Sequence, residues 1–225
     1  MIHVAILQFP GTNCERDTVY AFEKLGAKTQ VIWHKEESLP ANTDLVVVAG
    51  GFSYGDYLRS GAIAKFSPIM KAVKEFADNG GKVLGICNGF QVLTESRLLP
   101  GALKRNESLH FISRHHHLKV IANDNIFLEK LDADDVVNIT IAQHYGNYYI
   151  DDQGLQELYA NNQVLLKYTD ANGNISNPNG SVDSIAGICN KEKNVFGLMP
   201  HPERAMEVLL GSDDGINMLQ GFLNR

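Results

Sequence analysis

The chain has 225 residues, 44% of them hydrophobic and 20% charged, with a formal net charge of −6. That length and apolar content suit one globular domain, taken as residues 1–225, with a core large enough to exclude a disordered chain. Basic residues are scattered among acidic ones, so neither nucleic acid nor an anionic membrane is an expected partner; a small molecule is.

Met1-Ile2-His3-Val4 opens straight into an apolar stretch without the basic head and cleavage site of a secretory signal, which predicts a cytoplasmic protein. Residues 4–9 read as a first strand. Thr12 and Glu15 have the spacing of a capping box, starting a helix that turns Val19, Phe22 and Leu25 inward and stops at Gly26. Residues 31–33 and 45–49 follow as strands, the second uniformly apolar, as a strand buried on both faces should be. It is far too short to cross a bilayer, so no membrane contact is expected. A glycine-rich loop, residues 50–56, leaves its end. Ser67-Pro68 opens a helix carrying Ile69, Met70, Val73 and Phe76, and Asn79-Gly80-Gly81 closes it. Residues 82–86 form the next buried strand.

Beyond about residue 100 the pattern changes to alternating segments at 118–121, 137–141 and 164–168, then 184–188 and 195–199, with Asn172-Gly173 and Asn179-Gly180 as turns. A last helix follows Ser212. The expected fold is α/β: a three-layer sandwich with a largely parallel central sheet, plus antiparallel strands in the second half.

Cys87 sits in Gly85-Ile86-Cys87-Asn88-Gly89, directly after a buried strand and before a helix. Small residues on both sides permit the sharp bend that lifts a nucleophile out of a sheet, and a helix N-terminus favours its thiolate. Cys14, in a first helical turn, and Cys189, at the end of an apolar strand, lack such glycines and read as packing residues. The three cysteines have neither pair nor metal-ligand spacing, which predicts free thiols in a reducing compartment and no metal.

A thiolate that expels an amine needs an imidazole held by a third group. Pro200-His201-Pro202-Glu203-Arg204 offers both: His201 and Glu203 are two apart, on one face of extended backbone, and the prolines restrict the local φ. The histidine run His115-His116-His117 cannot turn three consecutive rings to one ion and reads as a solvated or interface strand. His144 reads as a polar residue at a turn. Attack on an amide also requires an oxyanion hole, for which the N–H groups of Asn88 and of Gly51, in Gly50-Gly51-Phe52-Ser53-Tyr54-Gly55-Asp56, are candidates. That loop lacks the lysine and hydroxyl residue of a phosphate-binding loop, so no nucleotide site is expected in the chain.

With these motifs assembled, the chain resembles a class I glutamine amidotransferase over essentially its whole length. The resemblance implies a flavodoxin-like fold, L-glutamine as substrate, Cys87, His201 and Glu203 as the triad, Gly51 and Asn88 as oxyanion donors, and Gln91 as a contact to the amino-acid end of the substrate. Residues 50–59, together with Leu98-Leu99-Pro100-Gly101-Ala102-Leu103 and Arg105-Asn106, resemble the branch that serves as glutaminase subunit of phosphoribosylformylglycinamidine synthases. That branch implies a large synthetase subunit, often a small third subunit, and ATP and magnesium held by the synthetase with no cofactor here. One departure is Ala142-Gln143-His144-Tyr145-Gly146, where relatives often carry Ala-His-Gly-Glu-Gly. Other synthetases, and a thiol-sensing module that would not need His201 or Glu203, are the alternative readings.

Overall fold

The structure is a computed structural model that describes residues 1–224. Its first half alternates strands and helices: β1 (His3–Gln8), α1 (Glu15–Lys24), β2 (Lys28–Trp33), β3 (Leu45–Val48), α2 (Ile69–Asp78), β4 (Lys82–Ile86) and α3 (Asn88–Glu95). The second half contains β5 (Ala102–Lys104), β6 (Ile112–Val120), β7 (Val136–Gln143), β8 (Asn147–Tyr149), α4 (Asp152–Ala160), β9 (Val164–Thr169), β10 (Ile185–Cys189), β11 (Val195–Leu198) and α5 (Gly215–Gln220). The one sheet common to both halves has the order β2-β1-β3-β4-β11-β10-β9-β6-β7. From β2 to β11 every neighbouring pair is parallel; from β11 to β7 every pair is antiparallel. This is the α/β architecture expected from the change of pattern near residue 100.

The central strands β3 and β11 are buried at every residue, so neither face of the sheet there meets water. α1 packs on β1 and β2, α2 on β4, and α3 on β3, β4 and β11. Among the described residues, no helix is long and apolar enough to cross a membrane.

Local details depart from the sequence reading in three places. The capping box at Thr12 is not made: the Thr12 hydroxyl accepts from the N–H of Phe9 at 2.9 Å, and α1 begins after Cys14, without a side-chain cap. Thr12 is instead tied to Gly51 by an isolated antiparallel bridge, and this tertiary contact overrides the helical signal. Helix α4 was not anticipated, because Gly154 weakens its first turn; Asp151 starts it by accepting from Gly154 N at 2.7 Å. The short β5–β8 pair was likewise missed, three residues being too few to establish a period.

Strand register decides where the functional residues fall. Ile86 of β4 lies opposite Leu198 of β11, and Val48 of β3 opposite Gly85 of β4. Cys87, the 50–51 glycine pair and the segment leading to His201 therefore leave adjacent parallel strands at the same, carboxyl end. Open α/β sheets place their binding crevices there.

Candidate active site

Cys87 has φ 52° and ψ −107°, a conformation that costs a residue with a β-carbon about 1–3 kcal/mol. Close packing holds it there. A β-carbon on Gly89 would lie 1.8 Å from the Val48 carbonyl oxygen, and one on Gly85 2.7 Å from the Gly89 carbonyl carbon. Both glycines are thus required for α3 to press against β3 and β4. The Cys87 N–H donates to Leu198 O at 2.8 Å, tying the elbow to β11, and Sγ lies 3.6 Å from Ala142 O. Because Cys87 is the N-cap of α3, the unpaired N–H groups of the first turn surround it with positive potential.

His201 and Glu203 are almost wholly buried, and Nδ1 lies 2.7 Å from Oε1. The His201 N–H donates to Thr140 O at 2.8 Å, so β7, the last strand of the sheet, bends round to reach the carboxyl end of the parallel strands. With Nδ1 engaged, Nε2 of His201, a residue that lines the cavity, has no hydrogen-bond partner, and Oε2 of Glu203 is likewise buried without one. Burial alone would lower the His201 pKa, but the Glu203 carboxylate and then the Cys87 and Cys14 sulfurs hold it well above the ordinary imidazole value.

Cys87, His201, Gly51, Phe52, Ala142 and Arg204 contribute to one cavity of about 250 Å³. Larger cavities of about 390 and 810 Å³ lie elsewhere, and neither brings a thiol to an imidazole among its lining residues. The chemistry, not the volume, identifies the site.

Of the candidate oxyanion donors, Gly51 lines the cavity and Asn88 does not, although it directly follows Cys87, which does. Gly51 has φ 142°, and a β-carbon there would come within 2.7 Å of Asn13 N. Asn13 N and Phe52 N bond to Gly50 O and Gly11 O, so in this bridge the Gly51 N–H points away from residues 11–13 and stays outside the pairing. Asn88 is the first residue of α3, where a backbone N–H has no helical acceptor. Its side chain fixes the loop, Oδ1 accepting from Ser53 N at 3.0 Å and Nδ2 donating to Gln91 Oε1 at 2.8 Å. Gln91 is not among the cavity-lining residues: Nε2 donates to Tyr145 O at 2.7 Å, and the buried carboxamide ties Asn88 to the 143–146 turn.

The sequence reading of Cys14 is corrected by the structure. Cys14 lines the same cavity, its Sγ accepts from Arg204 Nη2 at 3.1 Å, and a β-carbon on Gly50 would touch both this sulfur, at 3.2 Å, and His201 Cε1, at 3.0 Å. Arg204 in turn donates to Asp17 of α1 at 3.0 Å. Spacing gave no hint of this, since 187 residues separate Cys14 from His201; the GTNC run after β1, at the carboxyl edge of a parallel strand, was the available signal. Cys189 is a buried core residue on β10. In the histidine run, His115 is exposed, but His116 is buried and bonds Ser176 O through Nε2 at 2.8 Å, so only part of that strand is solvated. His144 stands at the turn after β7 and pairs with Leu109 O at 3.2 Å.

Residues 1–213 match the CobB/CobQ-like glutamine amidotransferase domain family. The phosphoribosylformylglycinamidine synthase subunit PurQ of Sulfurimonas denitrificans is 79% identical over 220 residues, which are 98% of each chain. That of Wolinella succinogenes is 61% identical over 97% of this chain and 98% of its own. A solved structure of PurLQS from Thermotoga maritima superposes with a TM-score of 0.89 at 39% identity, covering 99% of this chain and 98% of the matched one.

Proposed function

The chain belongs to the CobB/CobQ-like glutamine amidotransferase family, and we propose that its reaction runs through Cys87, His201 and Glu203. It is the glutaminase subunit of phosphoribosylformylglycinamidine synthase and acts with a synthetase subunit. The observation that carries the residue assignment is the register of β4 and β11, which delivers Cys87 and His201 to one cavity, with Glu203 on the far nitrogen of the imidazole.

In this reading the Cys87 thiolate attacks the side-chain amide carbon of glutamine, and the Gly51 and Asn88 N–H groups receive the charge on the oxygen. His201, held protonated by Glu203, gives its proton to the departing ammonia. The glutamyl thioester that remains is opened by water, which His201 deprotonates, and glutamate leaves. Gln91 supports the substrate's amino-acid end through the wall it builds with Asn88 and Tyr145.

ATP and magnesium belong to the synthetase, which uses the ammonia to convert formylglycinamide ribonucleotide to its amidine. A small third subunit completes the assembly. Residues 1–225 act as one domain, supported by the sheet common to both halves, and work in the cytoplasm. Free ammonia would be lost, so docking of the synthetase orders the loop of residues 50–56 and raises the glutaminase rate. Glutamate release, measured with and without the synthetase subunit and its nucleotide substrate, tests this: a partner-dependent increase supports the gating, and equal rates contradict it.

A further inference from the structure

The segment that follows the Gly50-Gly51 pair holds buried polar atoms for which this mechanism has no use. Ser53 and Ser60 are 3% and 5% exposed, and the hydroxyl of each lacks a hydrogen-bond partner, as does the enclosed Oδ1 of Asp56. Leaving a buried hydroxyl unpaired destabilises the fold, and an unpaired carboxylate oxygen does so more strongly. Three such atoms on one short segment are a ligand's complement. Burial holds the Asp56 carboxyl above the ordinary carboxylate value, and the nearby Ser60 hydroxyl and the charge of His144 act against it.

Nearby cations do not fill this role. Arg59 forms a two-pronged pair with Glu95, and Lys65 lies 3.6 Å from the same carboxylate, so both turn away from Asp56. The backbone is strained to keep Asp56 where it is: Tyr54, Asp56 and Leu58 have φ of 53°, 56° and 68°, each unfavourable without glycine.

The segment adjoins the nucleophile. Ser53 N donates to Asn88 Oδ1, and Asn88 follows Cys87 directly. At the other end of the segment, Gly61 lies against the backbone of α3, where a β-carbon would come within 2.7 Å of Val92 N. Gly51 and Phe52, just before the segment, line the active-site cavity. Tyr57 and Leu58, on its outer side, are 75% and 90% exposed.

A carboxylate oxygen with two hydroxyl oxygens offers acceptors and one negative charge, which matches the tetrahedral donors and single positive charge of an ammonium group. We infer that Asp56, Ser53 and Ser60 form a binding site for an ammonium group. The inference rests on the glutaminase reading, which supplies two candidates: the α-ammonium of glutamine, or the ammonia released at Cys87, bound as ammonium once the Asp56 carboxyl has given it a proton.

The test compares the parent with Asp56→Asn and Ser60→Ala in the assembled synthetase complex, following the KM for glutamine and the ratio of glutamate to amidine formed. Capture of the α-ammonium predicts a KM about tenfold higher in Asp56→Asn with the ratio unchanged. Capture of released ammonia predicts a KM within about twofold and a ratio that rises severalfold as ammonia escapes. Ser60→Ala shifts the same quantity in the same direction by less, and decides the matter if Asp56→Asn does not fold. Folded variants that leave both quantities at parental values overturn the site. A Cys87→Ala control separates the two readings, since glutamate release that persists in it would remove the glutaminase assignment itself.

Discussion

Nδ1 of His201 lies 2.7 Å from Oε1 of Glu203, with both side chains sealed from solvent. The carboxylate fixes the ring so that Nε2 faces the thiol, and it is the main influence raising the His201 pKa against burial. Glu203→Gln keeps the shape and removes the charge, so kcat should fall about 10²–10⁴-fold. The alkaline limb of the pH–rate profile should also move to lower pH, because the imidazolium is then lost sooner. Stability follows the same sign. A pKa raised on folding stabilises fully below the ordinary imidazole value of 6.5 and loses that contribution as pH rises through the raised value. Urea unfolding of the parent should weaken over that window, and the dependence should flatten in Glu203→Gln. An unshifted alkaline limb would contradict the role given to Glu203.

The three thiols should react in a fixed order. Burial pushes the Cys14 thiol up despite His201, and pushes Cys189 up to about 12. Cys14 and Cys87 both stand at helix N-termini, but only Cys87 is lifted from its strand end by a glycine-flanked elbow. Iodoacetamide near neutral pH should label Cys87 first, leave Cys189 untouched until the protein unfolds, and be slowed by glutamine. Peptide mapping that finds Cys14 labelled first would refute this order.

Gly89→Ala should destabilise far more than Gly26→Ala. The first places a β-carbon 1.8 Å from a backbone oxygen of β3; the second meets nothing within 4 Å and has only a positive φ to accommodate. Losses of about 3 kcal/mol or more and about 1 kcal/mol are expected in denaturant unfolding. Similar losses would show that α3 can move off the sheet.

Asp56 should reveal a conflict between stability and function. Burial raises its pKa against the opposing influence of Ser60 and His144, so the ionised form is disfavoured by folding and stability rises as pH falls through the raised value. Asp56→Asn should therefore melt higher than the parent at pH 7, by on the order of 2 °C, with the gap closing below about pH 4. A lower melting temperature at pH 7 would mean that the carboxylate has a partner.

Much of this was legible in the sequence, for local reasons. Strand β4 and the elbow at Cys87 are written in eight consecutive residues, 82–89, and His201 and Glu203 lie within one short turn. Thr12 misled because its hydroxyl serves the backbone of Phe9 instead of a helix end. Cys14 reaches Arg204, and Thr140 reaches His201, only through the folding of the sheet, and no spacing records that approach. The inward turn of Asp56 depends on three left-handed residues, a conformation the sequence there does not announce.

The most direct test of the central claim is a rapid-quench experiment with glutamine, reading the intact mass of the parent and of Cys87→Ala. The account predicts a transient mass gain of one glutamyl group, mapped to Cys87, which decays as glutamate appears and is absent from the variant. Glutamate released by Cys87→Ala at the parental rate, or a glutamyl group carried on any other residue, would contradict it.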